Sequence, residues 1–367
     1  MNSQLTATDH VHLRLALELA EGGRGRVSPN PLVGAVVVRD GETIGEGFHA
    51  ELGGLHAERA ALADCRERGN DPAGATMYVT LEPCAHQGRQ PPCVDAVLEA
   101  GIGRVVIASE DPSEKAAGRG PGILRDGGVE VVFAAGAEAA AARLLNQPFR
   151  KHARTGLPLV VLKLAMSRDG RTATRPGASP WISGELSRAL VHRWRGEFDA
   201  IAAGIGTVLA DDPLLTARHP GARQPLRVVF DSQARLPLGS RLLASLDQAP
   251  VLVVADPEAD RDRTRALREA GAEVLLVGGA DPADRIGAAL VELGRRGVTG
   301  LFLEGGRTLA AAFAAAGQID ESRTFVAPMN LGGPEPAELG LVRRSALDTH
   351  EEPVGEDTLT VARYKEW

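Results

Sequence analysis

Cysteine and lysine are scarce in this chain, and aromatic residues are few. Three cysteines among 367 residues are too few for a disulfide framework, which argues for a reducing compartment. Only four lysines, at positions 115, 151, 163 and 365, stand among 41 basic residues. Basicity is therefore nearly all arginine, a skew that reads as codon bias, so a single arginine marks nothing by itself. No apolar run approaches the roughly 18 residues of a membrane span, and the polar start has no basic-then-apolar signal. The expectation is a cytoplasmic protein with no membrane partner. No Gly-x-Gly-x-x-Gly occurs, so the common dinucleotide fingerprint is absent.

A length of 367 residues predicts two domains. A composition of 44% apolar and 24% charged residues is that of a globular protein. The net charge of -7 is unevenly spread: residues 1–150 hold 14 basic and 20 acidic side chains (-6), and the remaining 27 and 28 give -1. An acidic first half argues against a nucleic-acid surface, which needs basic groups over the phosphates. A small substrate is expected instead.

One stretch carries most of the chemistry. His56-Ala57-Glu58 is followed by Glu82-Pro83-Cys84 and then by Cys93. One imidazole and two thiolates supply three ligands to a tetrahedral zinc and leave a fourth position for water, as in catalytic sites. Zinc draws the pKa of such a water towards neutrality. If His56 and Glu58 open a helix, the carboxylate leans over the metal without binding it. There it can take a proton from the water and pass it to a leaving nitrogen. His-x-Glu followed by Pro-Cys and a further Cys is the zinc deaminase signature. The competing reading is a structural zinc knot, which wants four protein ligands. Cys65 ends an apolar-periodic run over 57–65 and is expected in the core.

Periodicity and turn signals place these residues. A first helix is expected over 10–19, then a Gly/Arg/Pro loop to Asn30. Strands over 33–38 and 43–48 flank Asp40-Gly41, a hairpin signal. A helix opens at His56. A strand over 76–81 ends in Glu82-Pro83-Cys84, and Pro91-Pro92 start a helix to Ala100, since proline suits a first turn. Both proposed thiolates thus fall near a strand end and a helix start, where thiolates are favoured. Strands over 105–108 and 129–133 complete a layered α/β domain over 1–150. A polar linker is placed at 151–158 and a second domain over 159–367. Its strands are expected at 159–165, 226–230, 251–255, 273–277 and 301–303. Helices at 186–194, 266–270, 283–296 and 308–316 fall between them, and that alternation predicts a mostly parallel sheet.

Open α/β sheets bind ligands at strand ends. Glu304-Gly305-Gly306-Arg307-Thr308 follows one strand and precedes a helix, so small residues let backbone N–H groups approach a phosphate. Ser167-Arg168-Asp169-Gly170, Gly204-Ile205-Gly206-Thr207 and Phe230-Asp231-Ser232 follow other apolar runs. Each alone is a plain turn as readily as a site; their recurrence at strand ends favours a site.

The deaminase signature usually has Cys-x-x-Cys, whereas eight residues separate Cys84 from Cys93 here. That spacing, with Asn30-Pro31-Leu32-Val33-Gly34-Ala35-Val36 upstream, resembles the bifunctional riboflavin-biosynthesis deaminase/reductases. So do Lys163-Leu164-Ala165-Met166-Ser167-Arg168-Asp169-Gly170-Arg171, Trp181-Ile182-Ser183, Thr207-Val208-Leu209-Ala210-Asp211-Asp212-Pro213 and Glu304-Gly305-Gly306. The likeness is collinear over nearly the whole chain. It implies an N-terminal cytidine-deaminase-like three-layer domain and a C-terminal domain similar to dihydrofolate reductase. It further implies zinc-dependent deamination of 2,5-diamino-6-(5-phosphoribosylamino)pyrimidin-4(3H)-one, then NADPH-dependent reduction to 5-amino-6-(5-phosphoribitylamino)uracil.

By the same resemblance, His56, Cys84 and Cys93 would bind zinc and Glu58 would shuttle protons. Asn30, His86 and Arg89 fall where the family holds pyrimidine and phosphate. Ser179, Arg195, Leu215, Arg218 and Glu304 match reductase substrate contacts. Ala165, Trp181, Thr207, Asp211, Ser232 and the segment Gly306, Arg307, Thr308 and Leu309 match NADPH contacts. Arg195 and Arg218 suit a phosphate, because a guanidinium offers paired donors; each is as readily a solvated group, and Trp181 as readily a core residue. Lys163 is expected near the ligand loops as an electrostatic helper, and Arg307 is a candidate for a 2′-phosphate. The expected partner is the small phosphorylated substrate, with self-association into a homo-oligomer. After Asp111-Pro112 the family often continues with a residue and another proline; this chain has Ser113-Glu114-Lys115. That loop is expected to border the deaminase pocket. The alternative, a nucleic-acid-editing zinc deaminase with an appended domain, is opposed by the acidic first half and the long thiol spacing.

Overall fold

A computed structural model describes residues 5–113, 116–172, 182–332 and 346–367. The chain forms two units, Met1–Thr155 together with Trp367, and Gly156–Glu366. Among the described residues no helix is long and apolar enough to cross a membrane.

The first unit is built on five strands: β1 (Gly34–Arg39), β2 (Glu42–Phe48), β3 (Thr76–Val79), β4 (Arg104–Ile107) and β5 (Glu130–Phe133). Their order is β2-β1-β3-β4-β5. Strand β1 runs antiparallel to both its neighbours, β2 and β3, while β3, β4 and β5 run parallel. Asp40 and Gly41 both take positive φ, 52° and 84°, the conformation a two-residue hairpin turn demands. The helices are α1 (Ala7–Ala20), α2 (Ala57–Glu67), α3 (Cys93–Glu99), α4 (Arg119–Asp126), α5 (Ala137–Leu145) and α6 (Gln147–Thr155).

Strand alternation makes this sheet the middle of three layers. Ala35, Val37, Met77, Val79, Val105 and Ile107 point to one core with Leu62 and Cys65 of α2, Val97 of α3 and Leu124 of α4. The intervening Val36, Val38, Tyr78 and Val106 point to the other, with Leu13 and Ala16 of α1 and Ala142 of α5. Cys65 is fully buried, as the apolar period implied. Helix α2 lies directly on β2 because Gly45 and Gly47 face it. A Cβ on Gly45 would sit 2.3 Å from the Cys65 sulfur, and one on Gly47 2.3 Å from the Ala61 nitrogen. The segment placed in a linker from 151 begins as helix instead. Helix α6 runs to Thr155, and Arg150 and Lys151 are buried despite their charge.

The second unit holds β6 (Leu159–Ser167), β7 (Ala200–Gly204), β8 (Leu226–Phe230), β9 (Val251–Ala255), β10 (Glu273–Leu276), β11 (Gly300–Leu303), β12 (Glu321–Ala327), β13 (Asp348–Val354) and β14 (Asp357–Arg363). Among the described residues they form one nine-stranded sheet, ordered β10-β9-β8-β7-β11-β6-β12-β14-β13. Strands β6 to β12 run parallel, and β14 and β13 close the edge antiparallel. The helices are α7 (Glu185–Glu197), α8 (Ile205–Asp211), α9 (Arg241–Ala244), α10 (Arg261–Glu269), α11 (Pro282–Arg295) and α12 (Arg307–Ala315). One sheet face packs on Leu290 and Leu293 of α11 and Phe313 of α12. On α7, Trp194 meets Phe302 edge-on and stacks on Phe325, at 5.9 and 5.6 Å between ring centres.

Candidate functional site

In the first unit, His56 caps the N-terminus of α2 with an extended backbone, and Glu58 falls in the first turn. Cys84 lies past the C-terminal end of β3, the central strand, and Cys93 opens α3. The three ligand atoms converge within 4.8 Å of one another. The Nδ1 atom of His56 lies 3.6 Å from the Cys84 sulfur and 3.4 Å from the Cys93 sulfur. The backbone N–H of Cys93 donates to the Cys84 sulfur at 3.3 Å, which favours its thiolate at a helix start. Two sulfurs and one imidazole nitrogen this close are the donor set that suits a zinc-like ion, with room left for a fourth, non-protein ligand.

A cavity of ≈ 380 Å³ opens on this group. Asn30, His56, Glu58, Cys84, His86 and Arg89 all line it, so the structure brings the expected deaminase residues to one place. Cys93 is buried behind them. Asp111 and Ser113 also line the cavity, as the departure from the family pattern there had suggested. Burial pushes the Glu58 carboxyl up to about 7, reinforced by the negative Cys84. A hydrogen bond from the Cys93 thiol, helped by His56 against the cost of burial, draws the Cys84 thiol down to about 4. That shared proton and burial push Cys93 well above the ordinary thiol range. A carboxyl poised near neutrality is suited to taking and giving protons.

One residue of this site was not legible beforehand. His49, just past β2, is buried, donates from Nδ1 to Leu55 O at 2.9 Å, and meets the Asn30 carboxamide nitrogen at 3.1 Å through Nε2. With Nδ1–H donated to the Leu55 carbonyl, Nε2 accepts from Asn30 and turns that carboxamide's oxygen away. Its ring also lies edge-on to His56. Only its seven-residue spacing before His56 distinguished it in the sequence.

In the second unit Thr207, Ser232, Glu304 and Gly306 follow the C-terminal ends of parallel strands. Arg195, in the last turn of α7, forms a two-pronged pair with Glu304 at 2.6 and 2.9 Å. A third donor of Arg195 reaches Thr216 O at 3.1 Å, beside Leu215. Burial alone would raise the Glu304 carboxyl, but Arg195 and Lys163 hold it below its usual range. Burial lowers the Lys163 ammonium, partly opposed by Glu304. Arg218 is exposed and faces Arg195 and Glu304 electrostatically. His192, one turn before Arg195, joins this cluster; nothing in the sequence marked it.

Thr207, in the first turn of α8, accepts from the Gly306 N–H at 3.1 Å, tying the ends of β7 and β11 together. Gly306 caps α12 without a side-chain acceptor. The N–H groups of Arg307, Thr308 and Leu309 have no partner among the described residues, which is the donor array a phosphate needs. Ala165 is half-buried in β6; Asp211 and Ser232 are exposed and make no side-chain hydrogen bond among the described residues. Ser179 and Trp181 lie outside the described residues.

Two family models match this chain: the cytidine and deoxycytidylate deaminase zinc-binding region over residues 6–109, and the RibD C-terminal domain over residues 158–359. Riboflavin biosynthesis protein RibD of Actinobacillus pleuropneumoniae is 42% identical over 332 residues, covering 90% of this chain and 87% of its own. That of Synechocystis is 37% identical over 360 residues, covering 96% and 95%. The solved structure of Acinetobacter baumannii RibD has a TM-score of 0.83 and 36% identity, covering 97% of this chain and 98% of that one. A diaminohydroxyphosphoribosylaminopyrimidine deaminase/5-amino-6-(5-phosphoribosylamino)uracil reductase of Thermotoga maritima also has a TM-score of 0.83, at 34% identity, with the same coverage. The first unit is thus a cytidine-deaminase domain, and the second a RibD reductase domain of dihydrofolate-reductase type. The nucleic-acid-editing alternative is not favoured. With both halves matched in order, the chain belongs to the family of bifunctional riboflavin-biosynthesis deaminase/reductases.

Proposed function

We propose that the first unit removes the 2-amino group of 2,5-diamino-6-(5-phosphoribosylamino)pyrimidin-4(3H)-one. The second would then reduce the ribosyl group of the product with NADPH to give 5-amino-6-(5-phosphoribitylamino)uracil. The observation that carries the first step is the meeting of His56, Cys84 and Cys93 beside the buried Glu58. Zinc held by these three would supply the Lewis acid that activates water. Glu58 would take a proton from the attacking water and return one to the amino nitrogen, so that the C–N bond breaks with ammonia as the leaving group. Asn30, set by His49, offers its carboxamide to the pyrimidine edge. Arg89, on the cavity rim, offers paired donors to the phosphate.

For the second step, NADPH would supply the hydride, and the protein's part is to place the reacting carbons. The free N–H groups at Arg307, Thr308 and Leu309 fit a cofactor phosphate, with Thr207 fixing the Gly306 turn. Ala165, Asp211 and Ser232 border the same strand ends. Arg195, Leu215, Arg218 and Glu304 would meet the substrate. Lys163 is the cation nearest in electrostatic effect to Glu304 within the sheet, and would stabilise charge on the substrate's sugar oxygen. Three unpaired cysteines, two of them proposed as metal ligands, support a cytosolic setting. The reading includes a homo-oligomer, which the open edge at β13 would accommodate; a monomer by sedimentation would remove that part.

The division of labour is tested by Glu58→Gln in the full chain. Ammonia release should fall by about 10²–10⁴-fold, the range for losing a positioned proton carrier. Zinc content and reduction of the deaminated intermediate should stay as they were. Ammonia release within tenfold of the parent would remove Glu58 from the chemistry.

A further inference from the structure

The segment 212–218 carries Leu215 and Arg218, yet it has no regular secondary structure. It is also held in an unfavourable shape. Asp212 and Leu215 take φ of 39° and 54°, a left-handed conformation that side chains other than glycine adopt only when their surroundings impose it. The surroundings here are specific. Arg195 donates to Thr216 O at 3.1 Å. The Gln224 carboxamide accepts from Ala217 N at 3.0 Å and donates to Ala217 O at 2.9 Å, as a neighbouring strand would. Asp212 Oδ1 accepts from Arg241 N at 2.9 Å.

The remaining tie is Arg227, and it is the odd one. It sits in β8 between apolar neighbours, where a parallel strand covered on both faces normally carries Val, Ile or Leu. It is 0% exposed. Its guanidinium donates to Leu214 O at 3.1 Å, to Ser245 Oγ at 2.7 Å, to Ser245 O at 2.9 Å and to Ala249 O. Among the described residues no carboxylate pairs with it. Its counter-charge is Asp247, which acts at a distance and does not outweigh burial, so the buried cation depends on its hydrogen bonds. One of those bonds fastens the carbonyl preceding Leu215 to the sheet; the other three tie the turn at 245–249 to the same guanidinium.

We infer that Arg227 and Gln224 are positioning residues: they hold 214–217 in its binding shape before substrate arrives and thereby set the reductase's affinity for its phosphorylated pyrimidine. Arg227 has no surface to offer a ligand, so it acts through what it fastens, the Leu214 carbonyl and the turn at 245–249. A loop ordered in advance does not have to be ordered by the substrate, and that saving appears as affinity. The inference rests on the reading that Leu215 and Arg218 meet the substrate.

The test uses the full chain with Gln224→Leu, Arg227→Lys and, separately, Arg218→Ala. Steady-state reduction of 5-amino-6-(5-phosphoribosylamino)uracil gives kcat and KM, NADPH fluorescence gives the cofactor Kd, and ammonia release reports the other unit. Gln224→Leu should raise the substrate KM by about tenfold, the scale of losing one or two hydrogen bonds that order the loop. kcat should stay within about twofold, and the NADPH Kd and ammonia release should not move. Arg227→Lys should do the same, because an ammonium cannot reproduce the fork; should it not fold, Gln224→Leu decides alone. If Arg218→Ala raises KM and Gln224→Leu does not, the inference is wrong and the substrate reading stands. If Arg218→Ala leaves KM unchanged, the substrate reading fails and takes the inference with it. A Gln224→Leu protein that loses kcat and NADPH affinity along with KM has a structural lesion, which also overturns the inference.

Discussion

Replacing Glu304 with alanine should damage the second unit in a way that can be sized from the structure. Glu304 and Arg195 are paired at 2.6 and 2.9 Å, with side chains only 9% and 11% exposed. Screening by water is therefore slight. Without the carboxylate, Arg195 keeps, among the described residues, only the Thr216 carbonyl, and two cations, Arg195 and Lys163, face each other. Removing one partner of a buried pair costs about 3–5 kcal/mol. The unit spans Gly156–Glu366, 211 residues. For a domain of that size each kcal/mol shifts the melting midpoint by about 2–4 °C, so the expected drop is about 6–20 °C. The double variant Glu304→Leu with Arg195→Met should recover most of it, since apolar groups of similar volume often match a buried pair. Neither protein should reduce substrate, and both should still release ammonia. Calorimetry of the two variants checks the argument. A shift under about 2 °C for Glu304→Ala would mean that solvent screens the pair and that the burial argument is mistaken.

The remaining expectations concern the metal site and acid. Cys84→Ser takes one of two sulfurs from the triad, and elemental analysis of the purified variant should find zinc well below one per chain; full occupancy would dismiss this ligand set. Acid should weaken the second unit through Glu304, whose folded pKa is held below its ordinary 4.5. A carboxyl lowered on folding contributes fully above its unfolded pKa, and that contribution fades as pH drops from about 4.5 through the folded value. In Glu304→Leu with Arg195→Met the same titration should be shallower; identical acid profiles would show that other carboxylates dominate.

The candidate metal site was legible because its proposed ligands, which the fold brings within 4.8 Å, follow local rules. A histidine at a helix N-terminus, a cysteine after a strand and a cysteine in a first helical turn each sit beside a sequence signal that places them. The Asp40-Gly41 turn and the apolar run before it placed the first hairpin in the same way. Helix α8 was harder to see: the run 208–213 looks like a polar loop, yet Gly204 caps a helix that ends only where Asp212 turns left-handed. Strands β12, β13 and β14 went unread. Six of the seven residues of β13 are exposed, so no apolar alternation marks it; the strand exists because β14 pairs with it. Helix α6 hid behind its charges, because Arg150 is buried against Ser109 and Glu110, partners distant in sequence. His49 and Arg227 share that difficulty. Their roles depend on carbonyls and carboxamides elsewhere in the chain, which composition and periodicity do not report.

The most direct measurement is the mass of the product formed from 2,5-diamino-6-(5-phosphoribosylamino)pyrimidin-4(3H)-one. Without NADPH the substrate should gain about one mass unit as an amino group is replaced by oxygen and ammonia appears. With NADPH the same sample should gain about two more, from one hydride and one proton. A substrate unchanged in mass without cofactor, or a deaminated product that NADPH leaves untouched, would contradict the account.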